Sequence, residues 1–170
     1  ADGRRLHRLA ESTEPYGAPS FSPDGKFVAA PSDDGGLSIW QTSTGEKVAD
    51  IKIGGRLNIA VSPDGRSLAV ARMKANGEKK TAQGAIEIES ATGEVQIREF
   101  PSGKLIRTLP IGELPVRGNR ILVNVPVWSE DGNMVALPVA HDISIWDVSS
   151  GKRLRVVRGS HPIAFSRAGN

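Results

Sequence analysis

The chain has 170 residues, of which 38% are hydrophobic and 24% charged, and its formal net charge is +3. This composition is typical of one folded, soluble domain and excludes a disordered chain, and the absence of any long apolar run excludes a membrane span. Cysteine is absent, which excludes disulfides and thiolate metal sites and leaves the compartment open, with the cytoplasm slightly favoured. The 19 glycines and 11 prolines favour turns and strands over long helices.

The first complete unit of the chain follows a short turn and basic strand, Asp2-Gly3-Arg4-Arg5-Leu6. It begins with the turn Ser22-Pro23-Asp24-Gly25 and continues with Leu37-Ser38-Ile39-Trp40, whose side chains alternate between two faces as in a strand. A second turn and strand, Thr44-Gly45-Glu46-Lys47-Val48, completes the unit. The Gly residues supply the positive φ that hairpin turns require.

The opening turn of this unit recurs along the chain. It returns as Ser62-Pro63-Asp64-Gly65, as Ser129-Glu130-Asp131-Gly132 and, in decayed form, as Ser166-Arg167-Ala168-Gly169, at intervals of 40, 67 and 37 residues. Two of these intervals are close to the roughly 40–45 residues of a four-stranded propeller blade, and the middle one carries an insertion.

The strand ending in Trp recurs as well. Ile143-Ser144-Ile145-Trp146 repeats the first unit, and the middle unit has Val95-Gln96-Ile97-Arg98 at this place. A turn and a basic strand follow each copy, at Ser102–Ile106 in the middle unit and Ser150–Leu154 in the last. Each unit therefore predicts four antiparallel strands, a to d, joined by short turns.

In this order of motifs the first unit resembles a WD40 repeat. The last unit is more similar still, with Ile145-Trp146-Asp147 ahead of Ser150-Gly151-Lys152. The resemblance covers almost the whole chain and implies a β-propeller, with blades that often carry a buried tetrad of His, Ser or Thr, Asp and Trp. Asp34 and Trp40 match this tetrad in the first unit, where Ala30 stands in place of the Ser.

We assign structural roles to five residues on these motifs: Asp34, Trp40, Trp128, Trp146 and Asp147. Arg98 takes the Trp position of the second unit, and we expect its stem to pack while the guanidinium meets a carboxylate. These departures keep open other propellers whose blades begin with Ser-Pro-Asp-Gly, such as TolB-like proteins and prolyl-oligopeptidase-type peptidases.

The predicted fold is all-β, a single partial propeller over residues 1–170 with about three full blades and orphan strands at both ends. The segments are 1–15 (last strand of a preceding blade and a linker), 16–55 (blade 1), 56–112 (blade 2, with an insertion at 72–93), 113–159 (blade 3, with a lengthened connection before its first strand) and 160–170 (first strand of a next blade). Propellers close with about 4–8 blades, so we interpret the chain as part of a longer propeller. A self-assembling half-propeller is the alternative.

The connections of such blades alternate between two rims, because successive strands run in opposite directions. The a–b and c–d turns share one rim and are short. The b–c and d–a connections share the other, which carries the long segments 72–93 and 110–123. Long loops on a rigid scaffold are common binding sites, so we expect function on this second rim. Within it, we expect the run at 85–89 to pair with residues 94–100 as an added hairpin.

The candidate partner-binding residues are the cations of these two segments, Arg72, Lys74, Lys79, Lys80, Arg117 and Arg120. Such a cluster suits an acidic protein segment, a phosphate or a nucleic-acid backbone, or is a solvated hairpin kept soluble by its lysines. A protein partner is preferred to nucleic acid, since the net charge is small. The remainder of the propeller is the other expected partner.

The sequence has no catalytic constellation, no metal-ligand spacing and no cofactor motif. We therefore expect no enzymatic activity in this segment. The function favoured is a non-catalytic, WD40-like interaction scaffold within a larger protein. The alternative is an accessory propeller that gates or orients substrate for a catalytic domain outside this sequence.

Overall fold

The computed structural model describes residues 7, 9, 17–32, 34–118, 120–121, 123–159 and 162–166. Regular structure in these residues is β throughout, and none of them lies in a helix that would cross a membrane. The strands are β1 (Ser20–Phe21), β2 (Phe27–Pro31), β3 (Gly36–Gln41), β4 (Lys47–Lys52), β5 (Arg56–Val61), β6 (Ser67–Ala75), β7 (Glu78–Lys80), β8 (Ile86–Ile88), β9 (Ala91–Glu99), β10 (Leu105–Leu114), β11 (Val116–Arg117), β12 (Arg120–Ile121), β13 (Val127–Trp128), β14 (Met134–Val139), β15 (Asp142–Asp147) and β16 (Arg153–Arg158).

Three four-stranded antiparallel sheets form the body of the protein. Blade 1 is β1-β2-β3-β4, blade 2 is β5-β6-β9-β10 and blade 3 is β13-β14-β15-β16, each in simple meander order. Two small hairpins, β7-β8 and β11-β12, lie in the connections. The predicted fold of antiparallel four-stranded blades is confirmed.

The blades pack face to face through side chains that alternate along their strands. On β6 of blade 2, Leu68 and Val70 join an apolar cluster with Leu37 and Ile39 of blade 1. Their neighbours Ala69 and Ala71 join a second cluster with Leu137 and Trp146 of blade 3. Blade 2 is therefore buried on both faces, because successive side chains of a strand point to opposite sides of the sheet.

The first strands of the blades lie side by side. Trp128 on β13 donates its indole N–H to the Ala60 carbonyl on β5 at 2.9 Å. The Val61 N–H on β5 donates to Ser20 Oγ on β1 at 3.0 Å. These bonds bring β1, β5 and β13 together as the inner strands of their blades. The last strand of each blade, β4, β10 or β16, therefore lies at its outer edge.

The insertion of blade 2 differs from its prediction in two ways. Strand β6 continues to Ala75 and β9 begins at Ala91, so the ends of segment 72–93 are sheet rather than loop. The expected pairing of 85–89 with 94–100 is wrong, since Ile86–Ile88 pairs with Glu78–Lys80. Both edges of β9 are already occupied, by β6 and by β10, which leaves no edge for a further strand.

The two ends of the chain contribute no strand to the described structure. Residues 162–166 have no strand pairing, although Ile163 and Phe165 are half-buried and alternate with exposed neighbours. The predicted first strand of a next blade therefore stays a prediction. Apart from residues 7 and 9, the predicted strand and linker at 1–15 lie outside the described residues.

Candidate interface on the loop rim

The long connections of the blades meet at one edge of the molecule, which we call the loop rim (residues 32, 34–35, 53–55, 76–90, 115–118, 120–121, 123–126 and 140–141). The Ile88 N–H in the first inserted segment donates to the Gly118 carbonyl in the second at 2.9 Å. Met73, Ala91 and Leu114 form a small apolar cluster beneath them. The prediction that segments 72–93 and 110–123 share a rim is thus confirmed.

The opposite edge, the turn rim, is built from the short a–b and c–d turns, and its a–b turns repeat one hydrogen-bond pattern. In each, a buried Ser donates its hydroxyl to the Asp two residues on, at 2.7 Å (Ser22 to Asp24), 2.5 Å (Ser62 to Asp64) and 2.6 Å (Ser129 to Asp131). The same carboxylate accepts a backbone N–H two residues further along, as Asp24 does from Lys26 at 3.1 Å. The hydroxyl bond, followed by the backbone bond, lowers the pKa of Asp24 to about 2.

Asp147, assigned a structural role, closes the c–d turn of blade 3. Its Oδ1 accepts the Ser150 N–H at 2.7 Å and the hydroxyls of Ser150 and Ser149 at 2.6 and 2.8 Å. The bonds from Ser150, then that from Ser149, lower the pKa of Asp147 to about 2. This side chain therefore holds a turn of the turn rim.

Asp34 lies on the loop rim, where it orders the b–c turn of blade 1. Its Oδ1 accepts the Ser32 hydroxyl at 2.7 Å and the Gly36 N–H at 3.1 Å, and Lys52 Nζ lies 2.8 Å from Oδ2. The hydrogen bond from Lys52, then that from Ser32, holds the pKa of Asp34 well below its usual range. The bonds of Asp34 are local turn and ion-pair contacts.

The three assigned tryptophans are buried, at 5% exposure for Trp40, 8% for Trp128 and 1% for Trp146. Trp146 packs in the cluster between blades 2 and 3. Trp40 lies beneath the Lys47 ammonium, whose Nζ is 5.8 Å from the ring centroid. These side chains contact their blades and neighbouring side chains, and none of them borders the cavities of the loop rim described below.

Arg98 occupies the Trp position of blade 2, opposite Leu68, as Trp146 lies opposite Val135. Its Nε and Nη2 donate to Gln96 Oε1 at 2.9 and 2.6 Å, and Nη1 donates to the Gly103 carbonyl at 2.7 Å. The expected carboxylate partner is wrong, because the buried amide of Gln96 stands between Arg98 and Glu94. Burial lowers the pKa of Arg98, and the charge of Glu94 opposes that shift.

Arg72 continues this network on the loop-rim side of blade 2. Gln96 Nε2 donates to Glu94 Oε1 at 2.6 Å, and Arg72 Nη1 lies 3.3 Å from the same oxygen. Arg72 Nε donates to the Gly54 carbonyl at 2.9 Å. Arg72 was predicted as a partner-binding cation, but its guanidinium bonds to groups within the protein.

The three candidate lysines lie on or beside the β7-β8 hairpin. Lys74 and Lys80 are exposed. Lys79 Nζ lies 3.7 Å from Glu87 Oε2 across the hairpin, and both side chains are largely solvated. The Lys74 and Lys80 side chains are thus accessible to a partner, whereas Lys79 is shared with Glu87.

Arg117 and Arg120 border a cavity of about 390 Å³. We call it the arginine cavity; its described lining consists of Arg56, Arg117, Arg120, Ile121, Val123, Asn124, Ala140 and His141. The lining comes from the start of blade 2, from the connection between blades 2 and 3 and from the b–c turn of blade 3. Of these residues, only Arg117 and Arg120 were predicted from the sequence. Arg56 begins β5 and His141 follows β14, so both lie where strands reach the loop rim, but no sequence pattern links them to the two arginines.

A second cavity of about 380 Å³ lies next to the arginine cavity and shares Arg56 and Ile121 with it. Its other walls include Asp34 and Gly35 of blade 1 and Glu78 of the β7-β8 hairpin. The two cavities therefore differ in charge, since the second has carboxylates and the first has none among the described lining residues.

Metal-binding and catalytic groups do not cluster in the described part of the chain. No three His, Asp or Glu side chains there lie close enough to hold a metal ion. His141 and Asp142 are adjacent in sequence and exposed, and no hydrogen bond joins their side chains. The absence of a cofactor and of an activity stays a prediction.

Three four-stranded antiparallel blades packed face to face give this chain a β-propeller-like fold. Among solved structures, hydrazine synthase of Kuenenia stuttgartiensis matches 82% of this chain and 36% of its own, with a TM-score of 0.57 and 18% sequence identity. At that identity the likeness shows the fold.

Two curated proteins resemble part of the sequence. Protein ENHANCER OF LHP1 1 of Arabidopsis thaliana is 38% identical over 72 residues, which are 41% of this chain and 8% of that protein. Dihydro-heme d1 dehydrogenase of Pseudomonas aeruginosa is 37% identical over 73 residues, 41% of this chain and 15% of that protein. No family model matches the chain.

Proposed function

We propose that this chain is a non-catalytic, WD40-like propeller segment that acts as a protein-interaction scaffold within a larger protein and holds its partner on the loop rim. The observation that carries the proposal is the meeting of both inserted segments at that rim, through the bond between Ile88 and Gly118. Elaborated loops held by packed sheets are a common form of binding surface.

The charge of the rim favours an acidic segment of the partner protein. Lys74 and Lys80 are exposed on the first inserted segment, and Arg117 and Arg120 on the second. Cations arranged in this way increase the rate of encounter with an acidic surface and favour it over a basic one. Arg72 is excluded from this set, because it is bonded to Glu94 and Gly54.

The blades supply the rigidity that such a surface needs. The sheet behind the rim is buried on both faces, with Leu68, Val70, Ala69 and Ala71 each at 0% exposure. A partner that binds the rim therefore meets loops fixed at their bases, which lowers the ordering cost of binding.

The remainder of the propeller is proposed as a second partner, on the face of blade 3 that points away from blade 2. Ile143 and Ile145 alternate along β15 on that face, Val157 lies opposite Ile143 on β16, and Val157 is 40% exposed. An apolar face of this kind matches the faces that join blade 2 to its neighbours.

The scaffold proposal is tested by site-specific photo-crosslinking in the intact protein. A crosslinker replaces Lys80 on the loop rim or Lys104 on the turn rim. We expect one protein to be captured from the Lys80 position and not from the Lys104 position. Capture should decrease between about 0.1 M and about 1 M salt, as the Debye length falls from about 10 Å to about 3 Å.

Two matched triple variants each remove three positive charges, one set from the loop rim and the other from the turn rim. Replacing Lys74, Lys79 and Lys80 with Ser should reduce capture and its salt response, whereas replacing Lys26, Lys104 and Lys152 with Ser should change neither. Equal effects of the two triple variants would show that net charge, and not the loop rim, attracts the partner.

The second candidate function is an accessory propeller of an enzyme, which gates or orients substrate for a catalytic domain elsewhere. It is supported by partial likeness to proteins named as a dehydrogenase and a synthase. A nucleophile elbow or other catalytic domain in the flanking sequence would favour it, and further WD-like units would favour the scaffold.

A further inference from the structure

We propose that the arginine cavity binds a small organic anion with at least two negative charges, of the dicarboxylate or phosphate-ester class. The inference goes beyond the scaffold function, since it assigns a small-molecule site and does not require a protein partner.

The charge of the lining is the first argument. Arg56, Arg117 and Arg120 border one space together with His141 and Asn124, and the described lining contains no carboxylate. Guanidinium groups pair with carboxylates and phosphates through two parallel hydrogen bonds, which makes them suited to oxyanions. The groups at this cavity therefore complement a ligand with several anionic oxygens.

The pairing of the two loop arginines is the second argument. Arg117 and Arg120 lie directly opposite each other on β11 and β12. Like charges in that position destabilise a hairpin. Neither has a carboxylate within ion-pair distance among the residues that the structure describes. An anion bound between them would remove this repulsion.

The hairpin is nevertheless held in place from its other side. Val116 and Ile121 form the neighbouring cross-strand pair and pack on the apolar cluster of Met73, Ala91 and Leu114. The arginines are therefore kept together by apolar contacts, at the cost of their mutual repulsion.

The opposite wall is also fixed. Asn58 Nδ2 donates to the Val123 carbonyl at 3.3 Å, and the Asn124 N–H donates to the Pro138 carbonyl at 3.0 Å. Ala140 has a φ of 52°, which fits its place in the two-residue turn between Val139 and Asp142. These contacts form the wall before any ligand arrives.

The size and the apolar part of the cavity indicate an organic ligand. A volume of about 390 Å³ lies within the roughly 300–1,000 Å³ of small-molecule sites. Ile121, Val123 and Ala140 offer carbon surface beside the guanidinium groups, which suits a short carbon skeleton that bears the charges.

The test is isothermal titration of the full chain with three probes: inorganic phosphate, glycerol phosphate and succinate, each against chloride at matched ionic strength. Binding of glycerol phosphate or succinate supports the proposal, and the preferred probe identifies the class. Binding of inorganic phosphate alone overturns it. Absence of binding by all three overturns it.

The test variant is the double substitution Arg117→Gln/Arg120→Gln. Its control is Lys104→Gln/Lys152→Gln, which removes the same positive charge from the turn rim. We expect the first to weaken binding by about tenfold or more, since each hydrogen bond to a charged group contributes substantially. The second should leave binding within about twofold of wild type. Equal weakening by both pairs would overturn the site.

A second readout does not depend on the variants. In wild-type protein, the amide resonances of Asn124 and Ala140 should shift on addition of the best probe, and shifts confined to the turn rim would contradict the site.

The Lys74, Lys79 and Lys80 triple Ser variant should still bind the probe, so failure of the scaffold proposal and failure of this one are separable.

Discussion

On the turn rim, Ser22, Ser62 and Ser129 each donate their hydroxyl to an aspartate two residues on, whereas on the loop rim Arg117 and Arg120 face each other with no carboxylate partner among the described residues. Each of these serine–aspartate bonds on the turn rim is made within one turn. The loop-rim hairpin that carries Arg117 and Arg120 is held by the apolar contacts of Val116 and Ile121, and both arginines are exposed. The comparison separates residues that stabilise the blades from residues available for binding, and it can be tested by substitution.

The largest effect should come from neither rim but from the face between blades. Leu68→Ala removes a side chain at 0% exposure between blades 1 and 2, and we expect a loss of about 2–5 kcal/mol in the free energy of unfolding. Denaturant titration measures it. A loss no larger than that of the rim variants below would contradict the packing of blade 1 on blade 2 through Leu68.

A smaller loss should follow from breaking one turn of the turn rim. Ser62→Ala leaves the Asp64 carboxylate and the Ser67 N–H without their partner at 2.5 and 2.9 Å, and should lower the free energy of unfolding by about 1–3 kcal/mol. The matched change on the loop rim is Ser90→Ala, where an exposed hydroxyl lies 3.3 Å from the Asn76 carbonyl. That variant should stay within about 0.5 kcal/mol of wild type.

Acid should weaken the turn rim in a defined pH window. The pKa of Asp24 and of Asp147 is about 2 in the folded protein, below the value of about 3.9 in an unfolded chain. Their contribution is therefore present above about pH 4 and is lost as the pH falls through about 2. The stability difference between wild type and Asp24→Asn should narrow over that window, and a difference that stays constant would contradict the assignment.

The smallest effect on stability should come from the loop-rim lysines. Lys74→Ser, Lys79→Ser and Lys80→Ser should each change the free energy of unfolding by no more than about 0.5 kcal/mol, since the side chains are exposed and the Lys79–Glu87 pair is solvated. Thermal unfolding of the single variants measures this. A larger loss would place these lysines with the stabilising residues and not with the binding surface.

Short-range spacing determined the turns and strands from sequence alone. Ser62-Pro63-Asp64-Gly65 forms its turn through bonds between neighbours, and Ile143–Trp146 forms a strand because its apolar side chains alternate. The number of blades and the rim that carries each connection followed from counting such strands, since antiparallel connections must alternate.

Tertiary structure alone decided the partners of residues that meet across blades and insertions. The run at 85–89 pairs with Glu78–Lys80 because the edges of β9 are occupied, and Arg98 bonds to Gln96 because that amide lies between it and Glu94. The arginine cavity unites residues from separate connections, and only the packing of whole sheets brings them to one space. Local hydrogen bonds join residues close in sequence and can be predicted from them, whereas contacts between blades depend on where every intervening strand packs.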